Sequence, residues 1–405
     1  MDKNKTKTDP DIDTAAISSG GAHTVRVKIP DEEVSALFRT TPFQTGKAKK
    51  EFSLLSPNDF LTASKKIAEA RSDPSNKAGS ANSSFQPNPY LRSGNYEIPR
   101  IGKLFEFKKC IGHGGFGDVF VAFDTALQRN VAIKTLRTDK EKYSMRYRFI
   151  IEAKIAASLE HPNIIPVHGL YTDTKNQLHR VEKLIKGYDL QTILQRLKDI
   201  YNTMSHKRIV KEEANDLTAR LEIFLKVCDA ISYAHNKKYL HNDIKPKNVI
   251  VGRFNEIYVT DWGLAEQRVS KFSRKSNDFF GTPQYMAPEI LTHHPYDSRA
   301  DIYSLGVFLF NIVYLSQPFP LEIDINGLIE LKTKGLLAPM KHRYGVRIPS
   351  SLNYIVHKAM AARPTERYQT VQQLADDLRI FMHGKRVVNP VWQWVKFFFR
   401  IAAGT

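Results

Sequence analysis

The spacing of Asp243, Asn248 and Asp261 constrains this chain more than any other feature. The first two lie in His241-Asn242-Asp243-Ile244-Lys245-Pro246-Lys247-Asn248. The apolar run Val249-Ile250-Val251 follows, and Asp261 opens Asp261-Trp262-Gly263-Leu264-Ala265. Two polar turns joined by β-prone sequence bring three polar side chains to one small site. Asp243 is placed to accept a proton from a hydroxyl, while Asn248 and Asp261 offer the hard oxygen ligands that suit Mg²⁺ between phosphates. Phosphoryl transfer gains mainly from positioning and charge neutralisation, so it needs this combination rather than a protein nucleophile.

Upstream, Gly112-His113-Gly114-Gly115-Phe116-Gly117 has the spacing G-x-G-x-x-G, which lets backbone amides approach a polyphosphate closely. A dinucleotide-binding turn has the same spacing but requires a helix directly after the glycines. Here strand-like Val119-Phe120-Val121-Ala122-Phe123 follows, and then Val131-Ala132-Ile133-Lys134. A lysine on such an apolar strand needs anionic partners for its ammonium. Phosphates supply them, and Glu152, in the middle of an expected helix over Tyr143–Leu159, is the carboxylate that would hold Lys134 in place. Read without its context, Glu152 would be a surface glutamate.

The surrounding sequence divides into three parts. Residues 1–99 are rich in Ser, Thr, Asn, Lys and Pro with scattered apolar residues, and read as a largely disordered arm. Within it, Pro57–Arg71 carries Phe60, Ala63 and Ile67 at helical spacing, a transient helix or a docking element. From Phe105 short β-prone runs predict a small antiparallel sheet, and helical sequence takes over after Glu182. Leu217, Leu221, Phe224, Val227, Ile231 and Ala234 mark one buried face within Asp216–Lys237. The folded domain is expected over 104–383, with a basic and aromatic tail over 384–405.

With these motifs in order along the chain, the sequence resembles the protein kinase family. The resemblance implies an α+β, bilobal fold: a small antiparallel sheet with one key helix, then a mainly helical lobe. It implies ATP and Mg²⁺ as cofactors. Ile111, Gly112, His113, Gly114, Gly115, Phe116, Gly117, Asp118, Val119, Ala132 and Lys134 would face the nucleotide. The adenine site would lie at Glu182–Leu184 behind a gate residue, Val181, with Ile111, Val119 and Ala132 as apolar walls. Asp243, Lys245, Lys134 and Glu152 would be catalytic, and Asn248 and Asp261 would hold the metal.

The same resemblance assigns Gly281–Glu289 to the substrate-docking loop, Asp301 to the support of the catalytic loop, and Glu289 to a structural pair with Arg367. Lys245, two residues after Asp243, and Thr282 in Gly281-Thr282-Pro283-Gln284-Tyr285 match the Ser/Thr branch, and the Asp-Trp-Gly-Leu-Ala segment is similar to bacterial Hanks-type kinases. Two positions depart from the pattern. Asn242 stands where an arginine is usual and cannot clamp a phosphate on the activation segment. Trp262 replaces a phenylalanine, in the same apolar role.

The expected activity is transfer of the γ-phosphoryl group to Ser/Thr hydroxyls of proteins, with autophosphorylation, in intracellular signalling. The alternative is a pseudokinase acting as a nucleotide-binding scaffold. The formal charge of +18 predicts attraction to polyanions, but no nucleic-acid module accompanies it, so no nucleic-acid partner is expected. Only two cysteines occur, far apart, and the histidines lack ligand spacing, so neither a disulfide framework nor a zinc site is expected. Arg268, Lys271, Arg274 and Lys275 among Ser270, Ser273 and Ser276 read as a solvated loop or as an acidic-substrate and autophosphorylation segment. In the tail, Gln393, Lys396 and Arg400 share one helical face among Trp, Phe and Val; it reads as a helix packed on the domain or as an in-plane membrane anchor. The expected location is cytoplasmic, peripheral to the membrane if the tail anchors.

Overall fold

Alternating β-branched and aromatic residues over Phe105–His113 (β1), Gly117–Asp124 (β2) and Arg129–Leu136 (β3) form three consecutive antiparallel strands in a computed structural model of the chain. The structure describes residues 98–113, 117–137, 143–267 and 281–384. Val167–Thr172 (β4) and Leu178–Lys183 (β5) complete the sheet in the order β1-β2-β3-β5-β4. Helix α1, Tyr143–Ser158, packs on β4 and β5. Its anchor is Phe149, buried with Leu136 of β3 and Leu178 of β5. Full burial of a side chain of that size contributes about 2 kcal/mol, enough to hold a helix whose own sequence has no capping signal.

The helical lobe begins at α2, Leu190–Asn202, capped by the Asp189 carboxylate on the amide of Thr192. Helix α3, His206–Asn236, begins earlier than the periodic segment suggested, and the six apolar residues predicted to share a face are all buried. Gly187–Asp189 (β6) precedes α2, and after α3 the chain makes the short strands Tyr239–Leu240 (β7), Val249–Gly252 (β8), Ile257–Val259 (β9) and Glu266–Gln267 (β10), pairing as β6-β8-β9 and β7-β10.

Helices α4 (Pro288–Leu291), α5 (Arg299–Tyr314), α6 (Ile325–Thr333), α7 (Ser350–Ala359) and α8 (Val371–His383) complete the lobe. Helix α5 is buried from Ala300 to Tyr314 and forms the axis of the core. Its Gly306 lets α7 cross closely, because a Cβ there would stand 2.9 Å from that of Ala359. This is the α+β, two-lobed arrangement expected. No described helix is long and apolar enough to cross a membrane. The expected Pro57–Arg71 helix, the basic 268–280 segment and the aromatic tail lie outside the described residues.

Candidate active site

Strand β7 ends at Leu240, and the loop that follows is held from beneath by Asp301 of α5. The Asp301 carboxylate accepts the amides of His241 and Asn242, each at 2.9 Å, and faces His235 Nε2 at 2.8 Å. Burial alone would push this carboxyl up, but the contacts from His235 and His241 hold it below its ordinary value. Asn242 sits at φ 63°, a left-handed conformation that asparagine tolerates better than most residues. Its side chain donates to the Leu264 carbonyl at 3.0 Å and so ties this loop to the Asp261 turn. His241 spans the same gap: its Nδ1 accepts from the Asp243 amide, its Nε2 reaches Thr260 O at 3.2 Å, and its ring packs 4.5 Å from that of the buried Trp262.

Above this base the polar side chains converge. Asp243 Oδ2 accepts from Lys245 Nζ at 2.6 Å and from Asn248 Nδ2 at 3.0 Å. Among the described residues its Oδ1 is buried without a hydrogen-bond partner, leaving an unmet acceptor in the cleft. Gly281, at φ 115°, passes over that oxygen, and a Cβ there would come within 3.3 Å of it. Glycine is therefore needed twice, for the backbone angle and for access to the carboxylate. Lys245 also donates to Thr282 Oγ1 at 2.8 Å, which links the catalytic loop to the docking loop.

On the sheet side, Lys134 Nζ lies 3.1 Å from Glu152 Oε1 and 3.7 Å from Asp261 Oδ1. Burial alone would pull this ammonium down. Glu152, with Asp261 and Glu182, outweighs burial and the opposing Arg180, so its pKa stands above the ordinary lysine value. Gly263 lets Glu152 approach, since a Cβ there would meet Glu152 Oε2 at 3.1 Å. Among the described residues no group of three or more His, Cys, Asp or Glu could hold a metal by itself. Asn248 and Asp261 fit a Mg²⁺ that takes its other oxygens from phosphates and water.

The expected nucleotide residues divide. Unbroken pairing sets Val119 opposite Lys134 and Val121 opposite Ala132, so these four share one face of the sheet. Ile111 is at the rim, exposed, and His113 Nδ1 contacts Asp118 Oδ1 at 2.8 Å across the mouth of the glycine turn. A Cβ at Gly112 would only touch that of Val119 at 3.8 Å, whereas Gly117 is required by the close approach of β2 to β3: a Cβ would lie 2.2 Å from Thr135 O. Gly114, Gly115 and Phe116 lie outside the described residues.

Val181 is not the gate residue. It pairs with Ile133 and is buried with Ile101, Ala122 and Val131 on the opposite face of the sheet. Glu182 pairs with Ala132 and Arg180 with Lys134, so these two charged residues occupy the cleft face instead. Side chains alternate along a strand, and shifting the assignment by one residue turns it to the other side. Leu184 follows β5, in the linker to β6.

Sequence reasoning also missed Lys332 of α6. Its buried ammonium donates to the carbonyls of Pro283, Gln284 and Met286 in the docking loop. Nothing in Glu330-Leu331-Lys332-Thr333 distinguishes it from a solvated helix lysine. Arg180 did leave a signal, a cation in the middle of a β-strand. The pair expected between Glu289 and Arg367 is present as two contacts of 2.6 and 2.7 Å.

The family model for the protein kinase domain matches residues 105–378, from the first strand to the last described helix. This chain belongs to the protein kinase family. Among curated members of that kinase family it is 33% identical over 305 residues to serine/threonine-protein kinase PknD of Chlamydia pneumoniae, an overlap covering 71% of this chain and 32% of the relative. PknD of Chlamydia muridarum is 34% identical over 315 residues, covering 69% and 32%. The chain thus spans about a third of the length of the curated kinases it matches.

Proposed function

We propose that this chain is an ATP- and Mg²⁺-dependent protein kinase that phosphorylates serine and threonine hydroxyls of proteins, itself included, in intracellular signalling. The observation that carries the reading is Lys245 Nζ standing between Asp243 Oδ2 and Thr282 Oγ1 while Asp243 Oδ1 has no hydrogen-bond partner among the described residues. One carboxylate oxygen is oriented by the protein and the other is left for a substrate. The names of the PknD relatives support the Ser/Thr assignment.

When bound, Mg²⁺·ATP supplies the transferable γ-phosphoryl group and a cation that offsets its charge. Asn248 and Asp261 would hold the metal, and Lys134, steadied by Glu152, would hold the α- and β-phosphates. Asp243 Oδ1 receives the proton of the acceptor hydroxyl as that oxygen bonds to the γ-phosphorus and the bond to the β-phosphate oxygen breaks, releasing ADP. Lys245 orients the carboxylate and places a positive charge beside the transferring group. Thr282 keeps Lys245 there and joins it to the loop on which the substrate docks.

The test is transfer of labelled γ-phosphate from ATP to a generic basic protein, comparing the full chain with Asp243→Asn. Wild type should transfer, and the variant should lose more than nine-tenths of the rate while binding ATP with similar affinity. A silent wild type that binds ATP would support the scaffold reading instead.

A further inference from the structure

Four charged side chains lie together between the cleft face of the sheet and helix α1. Glu152 and Arg180 are each 3% exposed and Glu182 8%, and Lys134 is nearly as enclosed. Arg180 forms two ion pairs, Nη1 2.6 Å from Glu152 Oε1 and Nε 2.6 Å from Glu182 Oε1; neither is aligned as a hydrogen bond, so the guanidinium acts through charge and proximity. The guanidinium also lies over the ring of Phe149, 5.7 Å from its centroid. One side chain on β5 thereby grips two residues of α1, Phe149 and Glu152, which share a face of that helix at i, i+3 spacing.

The backbone of Arg180 is fixed on both sides, against Lys134 of β3 and Leu170 of β4. Two cations face the buried carboxylates of Glu152 and Glu182 with Asp261 at the edge, and removing Arg180 alone would leave these carboxylates facing one lysine. Lys134 and Arg180 approach the same oxygen, Glu152 Oε1, so the orientation that satisfies one serves the other. Among the described residues Arg180 meets the sheet and helix α1, and Asn242 donates its amide to Leu264 O.

We propose that Arg180 is a positioning residue that fixes Glu152, and through it helix α1 and Lys134, in the nucleotide-ready arrangement. The breadth of the guanidinium suits the position, since two of its nitrogens stand beside two different carboxylates from one place on the strand. The inference rests on the kinase reading given above for the same site.

The test uses the full chain, the double variant Arg180→Leu/Glu182→Leu, which removes the charge pair without orphaning Glu182, and the single variant Arg180→Lys. Three quantities are read: kcat with a peptide substrate, KM for that peptide, and the affinity of a non-hydrolysable ATP analogue by calorimetry. The double variant should lose about tenfold or more in kcat and several-fold in analogue affinity, because small displacements of positioning groups are costly. The peptide KM should stay unchanged, which a general loss of structure would not produce. Arg180→Lys should fall between the two, and it carries the test alone if the double variant does not fold. Wild-type kcat and analogue affinity in the double variant, or in Arg180→Lys when it stands alone, would overturn the proposal. So would a gain in kcat, which would make Arg180 a restraint. If wild type transfers no phosphate, the kinase reading fails by itself, and the analogue affinities still decide whether Arg180 positions Lys134.

Discussion

Lys332 Nζ lies 2.6 Å from the carbonyl oxygen of Met286, with Gln284 O at 2.9 Å and Pro283 O at 3.1 Å completing its three donor positions. The rings of Tyr303 and Phe319, at 5.0 and 4.8 Å, enclose the same ammonium. A helix lysine thus holds the docking loop from beneath, two residues from the Thr282 hydroxyl that meets Lys245. Lys332→Met should raise the peptide KM about fivefold or more and leave ATP affinity unchanged. It should also cost about 3 kcal/mol of stability, because three carbonyls lose a buried partner. Steady-state kinetics with peptide varied at saturating ATP, together with urea unfolding, check both parts.

Among the described residues Asp243 Oδ2 accepts from Lys245 and from Asn248, whose amide already donates there. Lys245→Met should reduce kcat by about a hundredfold, the scale of one lost charge-stabilising donor, with little change in ATP affinity. Thr282→Val removes only the hydroxyl that steadies Lys245 and should fall between wild type and Lys245→Met. A Thr282→Val rate below that of Lys245→Met would show that the threonine acts on the substrate directly.

Asp301 carries a pH signature. Its carboxyl is held below the ordinary value in the folded state, so the stability it contributes is full above the unfolded carboxylate pKa, about 4, and is lost as pH falls through the folded pKa. Asp301→Asn should therefore be less stable than wild type at pH 7 by about 3 kcal/mol, since it leaves His235 and the two loop amides with a weaker acceptor. The difference should shrink as the pH is taken below 4. Urea unfolding of both proteins across that range measures it, and a constant difference would contradict the assignment.

Asn242 donates to Leu264 O and leaves no cation at the position where a phosphate clamp would sit. Replacing Ser270, Ser273 and Ser276 together by alanine should leave basal peptide phosphorylation within about threefold of wild type. Phosphatase treatment of the wild-type chain should change the rate equally little. Silencing by phosphatase would mean that another cation clamps the activation segment.

Local composition was enough to find the chemistry. The spacing of Asp243, Asn248 and Asp261, the glycine turn between strands and the apolar strand carrying Lys134 each state a requirement within a short stretch of chain, and the structure sets Asn248 beside Asp243 and Asp261 beside Lys134. The buried face of α3 was legible for a related reason: a helix repeats every 3.6 residues whatever it packs against. The gate was not, because Val181 and its neighbours differ by one step along β5, and only pairing with β3 decides which side chains face the cleft. Val181 looked right as an apolar residue beside an adenine site, yet Ile133 across the ladder carries it to the outer core. Lys332 was equally hidden, because a lysine on a helix reads as solvated until another segment's carbonyls close over it. Sequence by itself determined which groups the chain possesses and the local periods that present them. Tertiary structure decided which buried charges meet, because register and long-range packing set those distances and neither is encoded within one element.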